Sequence, residues 1–182
     1  ATCAECPERS ECIFVNLHPT ELLRGALSAT AEPLLPWAQR IVLEVTERGS
    51  LAPGAELDEQ LQRARELGFR IAVDDLGQGY SGLSSLVRLR PEFAKVDMSL
   101  VRNIHLAPMQ QDLVAALVGA ASRAGILVVA EGVETVEERD VVTALGCDLL
   151  QGYLFARPGS PFPTPKWPQP QHNVKRLGGA AD

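Results

Sequence analysis

Residues 61–82 read LQRARELGFRIAVDDLGQGYSG, and this stretch decides the fold class. Apolar residues recur on one helical face from Leu57 to Leu67, and Gly68 then supplies a helix stop. The continuous apolar run at residues 69–74 is typical of a strand that is covered on both faces. The stretch therefore predicts an amphipathic helix that leads directly into a buried strand, followed by a glycine-rich loop.

The same alternation of strand and helix extends along the chain. Further helical faces are indicated by Leu113, Ala116, Leu117 and Ala120, and by Val141, Val142 and Leu145. Strands that alternate with helices of about ten to fifteen residues indicate right-handed crossovers and a mainly parallel sheet, so the predicted class is α/β. The predicted strands are residues 12–16, 40–45, 69–74, 93–97, 126–131 and 148–151.

The composition is that of one globular domain, with 182 residues, 46% hydrophobic and 22% charged. The net charge of −6 argues against a surface that binds long nucleic acid, which needs an excess of lysine and arginine. A run of about 18 uncharged apolar residues is missing and the N-terminus lacks the pattern of a secretory signal, so we expect no membrane span and a cytoplasmic location.

Three of the four cysteines, Cys3, Cys6 and Cys12, lie in a short polar stretch near the start. A zinc site would need a fourth ligand at a matching spacing, and the stretch offers none, which favours reduced thiols over zinc binding. Cys147 lies in an apolar run and is interpreted as a small core residue.

Every predicted strand ends in polar side chains. The carboxyl ends of parallel strands meet on one face, above all in (β/α)₈ barrels, so these side chains should lie close together. Crowded carboxylates need cations, and oxygen ligands without histidine or cysteine favour Mg²⁺ or Mn²⁺. Two adjacent aspartates can hold two ions, as in phosphodiester cleavage. The strand-end residues are Asn16, Glu44, Asp74, Asp75, Lys95, Asp97, Glu131 and Gln151.

Simpler interpretations of single residues stay open. Acidic residues at strand ends are also common as helix N-caps, and Lys95 could be a surface ion-pair partner. Glu47 could cap a helix, and Glu134 could be a first-turn helix residue. The glycines of residues 75–82 suit a mobile lid or phosphate contact, and equally a tight turn. Six successive strands that end alike favour a shared site.

Several stretches in one order resemble the EAL family, bacterial phosphodiesterases that open the cyclic dinucleotide c-di-GMP with two divalent metal ions. The resemblance covers nearly all of residues 12–161 and implies a TIM-like barrel domain there. Residues 1–11 form a polar N-terminal segment, and residues 162–182 a Pro-rich extension, surface-hugging or disordered, that Trp167 could anchor. The matching stretches are FVNL at 14–17, LEVTE at 43–47, VDDLGQGYS at 73–81, AKVD at 94–97, VAEGVET at 129–135 and QGY at 151–153.

The resemblance also implies roles for individual residues. Asn16, Glu44 and Asp74 would bind one metal ion, and Asp74 would bridge to a second ion that Asp75 and Glu131 complete. Lys95 would position the attacking water, which makes Lys95, Asp75 and Glu131 the catalytic set. The residues implied to support the loop and the substrate side are Glu47, Asp97, Glu134, Gln151, Gly77 and Gly79.

A family barrel has eight strands in roughly 250 residues, and six strands are identifiable here. We find no counterpart of the glutamate in the motif that names the family, so we expect a longer protein with a sensor or GGDEF-type domain upstream, and a homodimer through the barrel. The expected activity is hydrolysis of c-di-GMP to linear pGpG. The alternative is a degenerate receptor that binds c-di-GMP without cutting it.

Overall fold

The computed structural model describes residues 12–18, 32–46, 55–77, 82–159 and 163–168. Within these residues, six strands form one sheet in which all neighbouring pairs are parallel. The strands follow chain order across the sheet, which confirms the α/β prediction and its six barrel strands. They are β1 (Ile13–Leu17), β2 (Ile41–Thr46), β3 (Arg70–Leu76), β4 (Phe93–Val96), β5 (Leu127–Ala130) and β6 (Leu149–Leu150).

Helices connect the strands and pack on the outside of the sheet. The helices predicted after β2, β4 and β5 are present, and the described residues also contain two shorter helices and two 3₁₀ segments that were not predicted. None of the helices in the described ranges is long and apolar enough to span a membrane. The helices are α1 (Ala55–Glu66), α2 (Gly82–Leu89), α3 (Met98–Val101), α4 (Pro108–Arg123) and α5 (Val136–Ala144), and the 3₁₀ segments are Glu32–Arg40 and Ile104–Leu106.

The prediction of which face of α4 packs against the sheet is wrong. Leu113 is 46% exposed, and the alanines that share its face are exposed as well. The helix buries Val114, Val118 and Ala121 instead. The helix is apolar around most of its circumference, so apolar residues spaced three and four apart occur on two of its faces. The sequence pattern does not distinguish these faces, and the prediction chose the exposed one.

Two apolar clusters lie on opposite faces of the sheet. The larger one fills the space between the sheet and the helices. The smaller one lies on the inner face and contains Val42, Ala72, Phe93 and Val129, with Phe14 packed edge-on against Phe93 at 5.3 Å between ring centroids. Each of these five residues is followed two positions later by a polar residue. Alternate strand residues share a face, so the polar set Asn16, Glu44, Asp74, Lys95 and Glu131 belongs to the inner face, at its carboxyl end.

The described part of the Pro-rich segment, residues 163–168, is held against the domain. Trp167 stacks on Phe155 at 5.2 Å, and the backbone N–H of Lys166 donates to the Phe155 carbonyl at 2.9 Å. The guanidinium of Arg139 lies over the Trp167 ring at 5.6 Å. Residues 163–168 therefore follow the surface-hugging alternative, with Trp167 as the anchor.

The two described cysteines occupy different environments. Cys12 is exposed and accepts a hydrogen bond from Arg70 at 2.7 Å. Cys147 is buried, as predicted for a core residue, and burial raises the pKa of its thiol to about 11. Cys3 and Cys6 lie outside the described residues, so the interpretation of the N-terminal cysteines as idle thiols stays a prediction.

Candidate active site

One pocket of about 560 Å³ opens at the carboxyl ends of the strands. It brings together nine of the residues that the sequence predicts for the site. Gly77 is not among the lining residues, and Glu47 and Gly79 lie outside the described part of the chain. The nine predicted lining residues are Asn16, Glu44, Asp74, Asp75, Lys95, Asp97, Glu131, Glu134 and Gln151.

Four further lining residues were missed by the sequence interpretation. Met98, Gly132 and Gly152 each directly follow a predicted site residue, and Tyr153 lies two positions after Gln151. Their positions next to strand-end residues could have indicated them, since the turn after each barrel strand also contributes to the site. Tyr153 is 52% exposed at the pocket and lies under the guanidinium of Arg157 at 4.6 Å.

Lys95 lies at the centre of the pocket floor. Its Nζ atom is 2.7 Å from Glu44 Oε1, 2.7 Å from Glu131 Oε1 and 3.1 Å from Asp74 Oδ1. The residue is only 3% exposed, so the alternative of a surface ion pair is wrong. Carboxylates from β2, from β3 and from the end of β5 thus surround the ammonium of Lys95 on β4, in a largely buried cluster in which negative charge is in excess.

The excess of negative charge changes the acid–base properties of the cluster. Burial raises the pKa of the Glu131 carboxyl to about 7, and the hydrogen bond and charge of Lys95 oppose this shift only in part. Burial acts to lower the pKa of Lys95, but hydrogen bonds to Glu131 and Glu44 outweigh it and leave the pKa above its usual value. Lys95 therefore stays protonated at neutral pH.

Adjacent aspartates reach the same pocket because β3 is irregular at its carboxyl end. The pairing of β3 with β4 shifts in register between Val73 and Leu76. Asp75 within this irregularity has a φ of 62°, in the left-handed region that non-glycine residues rarely adopt. Consecutive strand residues normally point to opposite faces, and the bulge allows Asp74 and Asp75 to line one site.

Two acidic residues at the pocket have structural partners of their own. Asp97 accepts a hydrogen bond from the backbone N–H of Ser99 at 2.8 Å and caps α3, so the N-cap interpretation holds for this residue even though it also lines the pocket. Glu134 precedes Thr135, the N-cap of α5, so it is not a first-turn helix residue. Arg102 pairs with Glu134 through two hydrogen bonds and holds the pKa of that carboxyl below its usual range.

Gly152 is required by the close approach of two backbone segments at the pocket. A β-carbon at this position would overlap the backbone of Val133. We expect Gly152→Ala to lower the free energy of unfolding by about 3 kcal/mol, because the two segments cannot separate without breaking the backbone hydrogen bonds of Val133 to Gln151 and Leu154. Urea unfolding measures the change. The control is Gly159→Ala, where the nearest atoms to an added β-carbon lie 3.8 Å away, and equal stability of the two variants would contradict the prediction.

The donor set of the pocket fits hard divalent cations. All its candidate ligands are carboxylate or amide oxygens, and the buried Asp74 Oδ1 has no hydrogen-bond partner despite its ion-pair contact with Lys95. No three acidic, histidine or cysteine side chains in the described ranges are already arranged around one point as metal ligands. In the structure, the carboxylates close around Lys95 Nζ instead.

Known proteins are similar in sequence to most of this chain. The family profile of the EAL domain matches residues 4–158. Cyclic di-GMP phosphodiesterase RocR of Pseudomonas aeruginosa is 36% identical over 147 residues, which cover 79% of this chain and 38% of RocR. Cyclic di-GMP phosphodiesterase PdeF of Escherichia coli is 35% identical over 148 residues, which cover 79% of this chain and 20% of PdeF. The chain thus spans well under half of the length of these relatives.

Solved structures agree with the sequence comparison. A complex of Klebsiella pneumoniae BlrP1 with calcium and cyclic di-GMP superposes with a TM-score of 0.75 and 39% identity, over 81% of this chain and 39% of that chain. A complex of BlrP1 with manganese and cyclic di-GMP gives the same TM-score, identity and coverage. Both the profile match and the identity to named relatives extend over more than two thirds of the sequence, and the chain belongs to the EAL domain family.

Proposed function

We propose that the protein is a metal-dependent phosphodiesterase that hydrolyses c-di-GMP to linear pGpG. The observation that carries the proposal is the convergence of Glu44, Asp74 and Glu131 on Lys95 in a pocket of about 560 Å³. Relatives that are named cyclic di-GMP phosphodiesterases, and a structure of a relative with manganese and cyclic di-GMP, support this substrate.

Two divalent cations, Mg²⁺ or Mn²⁺, are part of the proposal. Asn16, Glu44 and Asp74 would hold one ion, and Asp74, Asp75 and Glu131 the other. When bound, the ions supply positive charge that neutralises the phosphoryl oxygens and activates water for attack. The excess of negative charge in the buried cluster and the raised pKa of Glu131 support a site that is completed by cations.

Lys95 is suited to orienting a water molecule and not to removing its proton. In the metal-free cluster its pKa lies above the usual value, so its ammonium group is a hydrogen-bond donor at neutral pH. It is also only 3% exposed, so the surrounding protein restricts its position before the substrate arrives. A fixed donor that need not reorganise during the reaction is an effective means of stabilising an attacking group.

The activity is tested by incubating the full-length protein with c-di-GMP and MnCl₂ and separating the products by chromatography. We expect one linear dinucleotide product. Cyclic di-AMP, which has the same phosphodiester ring but adenine bases, serves as the comparison substrate. Cleavage of both nucleotides at equal rates would contradict specificity for c-di-GMP.

We also propose that the protein forms a homodimer through the outer face of α4. This face carries an apolar stripe in which Met109 is 79% and Leu113 46% exposed, continuing through exposed Ala116, Ala120 and Ala124. Beside the two last alanines, α2 and α4 enclose a groove of about 470 Å³. An exposed apolar stripe that continues into an apolar groove is typical of an interface.

Size and charge both favour a second copy of the chain as the occupant. In an antiparallel pair of α4 helices, the large side chains of Met109 and Leu113 lie opposite the groove beside Ala120 and Ala124 of the second copy. Asp112 and Arg123 are eleven residues apart, about three helical turns, and therefore lie on the same flank of the stripe. The antiparallel arrangement places each aspartate opposite an arginine of the other copy.

The position of α4 in the fold also favours an intermolecular contact. The helix connects β4 and β5, while in the described residues the strands with one neighbour each are β1 and β6. Further strands would therefore add to the sheet away from this face. A sensor or GGDEF-type domain in the same protein remains a separate proposal, supported by the 38% and 20% shares of RocR and PdeF that the chain covers.

We expect Leu113→Glu to convert the dimer to a monomer, because the new carboxylate would be buried in an apolar contact. Light scattering after size-exclusion chromatography measures the mass. The control is Ala115→Glu, which adds the same charge to an exposed position of α4 outside the stripe. A monomeric wild type would contradict self-association, and a dimer that survives Leu113→Glu would place the interface elsewhere.

A further inference from the structure

Glu138 is a fully buried carboxylate that the proposed mechanism does not use. It lies in the first turn of α5 and has 0% exposure. Burial of a carboxylate is costly unless hydrogen bonds compensate for the lost water. The contacts of its two oxygens therefore indicate what this residue does.

One oxygen of Glu138 binds the start of its own helix. The backbone N–H of Thr135 donates to Oε2 at 3.1 Å, and the Thr135 hydroxyl accepts from the Glu138 N–H at 3.2 Å, which together form a capping box. Oε2 also accepts from the backbone N–H of Glu134 at 2.9 Å, beyond what a capping box requires.

The other oxygen of Glu138 binds a different loop. Oε1 accepts a hydrogen bond from the backbone N–H of Asn103 at 2.9 Å. Asn103 has a φ of 56° and a ψ of 23°, the left-handed conformation, at the turn between α3 and the Ile104–Leu106 segment. A single carboxylate thus fixes the backbone of two loops that come from different strands, β4 and β5.

These two loops carry the partners of the ion pair at the pocket. Arg102 directly precedes Asn103, and its guanidinium binds both carboxylate oxygens of Glu134, one of them at 2.7 Å. Both side chains are about a third exposed, and an exposed pair of long side chains does not by itself hold a fixed geometry. Glu138 supplies the constraint, because it bonds the backbone of Glu134 and the backbone next to Arg102.

We infer that Glu138 is a positioning residue that holds Glu134 and Arg102 in place at the substrate pocket. The inference rests on the proposed function for its kinetic consequence, since Glu134 lines the pocket in which c-di-GMP would bind. Glu138 does not touch the Lys95 cluster or line the pocket. Its loss should therefore weaken binding of the nucleotide more than the chemical step.

The test compares Glu138→Gln with Glu137→Gln, a matched change at the exposed neighbour. An amide keeps the size of the side chain but turns one acceptor into a donor, so at least one of the three backbone hydrogen bonds is lost. In the full-length protein with Mn²⁺, we expect the KM for c-di-GMP to rise about tenfold and kcat to change less than about threefold in Glu138→Gln, as a displaced positioning group predicts. Glu137→Gln should leave both constants unchanged.

Amide hydrogen exchange measures the positioning itself. Exchange at Asn103 or at Glu134 should become faster in Glu138→Gln and stay unchanged in Glu137→Gln. If the wild type binds c-di-GMP without cutting it, the phosphodiesterase proposal fails, whereas hydrogen exchange and the Kd for c-di-GMP still test the inference. Wild-type exchange at both amides, or a lower kcat with an unchanged KM, would overturn it.

Arg102→Gln provides a second test that does not disturb the buried carboxylate. We expect this variant to raise KM as Glu138→Gln does, and the double variant to be no worse than the more affected single one, because both changes act on the same pair. An unchanged KM in Arg102→Gln, or independent effects that add in the double variant, would overturn the inference even if Glu138→Gln fails to fold.

Discussion

Replacement of Asp74 by asparagine should lower the turnover of c-di-GMP at least about a thousandfold, a loss of about 4 kcal/mol in transition-state stabilisation. Asp74 is the residue proposed to contact both cations. The residue is 9% exposed, and its Oδ1 atom has an ion-pair contact at 3.1 Å but no hydrogen bond. Asparagine keeps the shape of the side chain and removes the charge, so the effect reports on the charge alone.

Steady-state kinetics with saturating Mn²⁺ measure this loss. The control is Asp58→Asn, because Asp58 lies on α1, is half-exposed and has an ion pair with Arg88 at 3.1 Å. This control should retain wild-type turnover, since exposed ion pairs contribute little. Turnover of Asp74→Asn within tenfold of the wild type would refute the assignment of two cations to this site.

Replacement of Lys95 by methionine should have the second-largest effect, on both stability and turnover. In the absence of metal, two buried carboxylates and the partly buried Glu131 would lose the ammonium that they share, and the free energy of unfolding should fall by about 3 kcal/mol. Turnover should fall about a hundredfold or more because the donor that orients the attacking water is gone. Nucleotide binding and Mn²⁺ affinity should be retained, since no proposed ligand is removed.

Urea unfolding without metal, isothermal titration with Mn²⁺ and kinetics separate these effects. Lys166→Met is the control, because Lys166 is exposed in the segment anchored by Trp167. If the affinity of the Lys95 variant for c-di-GMP fell by the same factor as its turnover, this lysine would be a binding residue. Unchanged stability without metal would show that Lys95 does not balance the charge of the cluster.

The strand order and the convergence of polar side chains can be predicted from the sequence because both follow from simple periodicities. Apolar runs separated by amphipathic helices specify a parallel sheet, and the alternation of side chains within each strand places Glu44, Lys95 and Glu131 on its inner face. The observed strand β3 (Arg70–Leu76) extends two residues beyond the predicted end at residue 74, since the bulge at Asp75 lets pairing continue to Leu76.

Other features depend on tertiary contacts that periodicity does not encode. Helix α3 (Met98–Val101) is a single turn, too short for a helical repeat to be recognised. Tertiary packing against Val114 and Val118 determines which face of α4 is buried, because the apolar pattern of the helix is compatible with burial of either face. The pattern Thr135-x-x-Glu138 is a capping-box signal that could have located Glu138, but its bond to Asn103, 35 residues away, requires the fold.

Metal-dependent hydrolysis is tested by measuring the formation of pGpG by the full-length protein as metal is removed and restored. We expect EDTA to abolish the conversion of c-di-GMP and added Mg²⁺ or Mn²⁺ to restore it, because the carboxylate pocket needs cations to act on an anionic phosphodiester. Binding of c-di-GMP without formation of pGpG at any concentration of either metal would contradict this expectation, and would make the protein a receptor for the nucleotide.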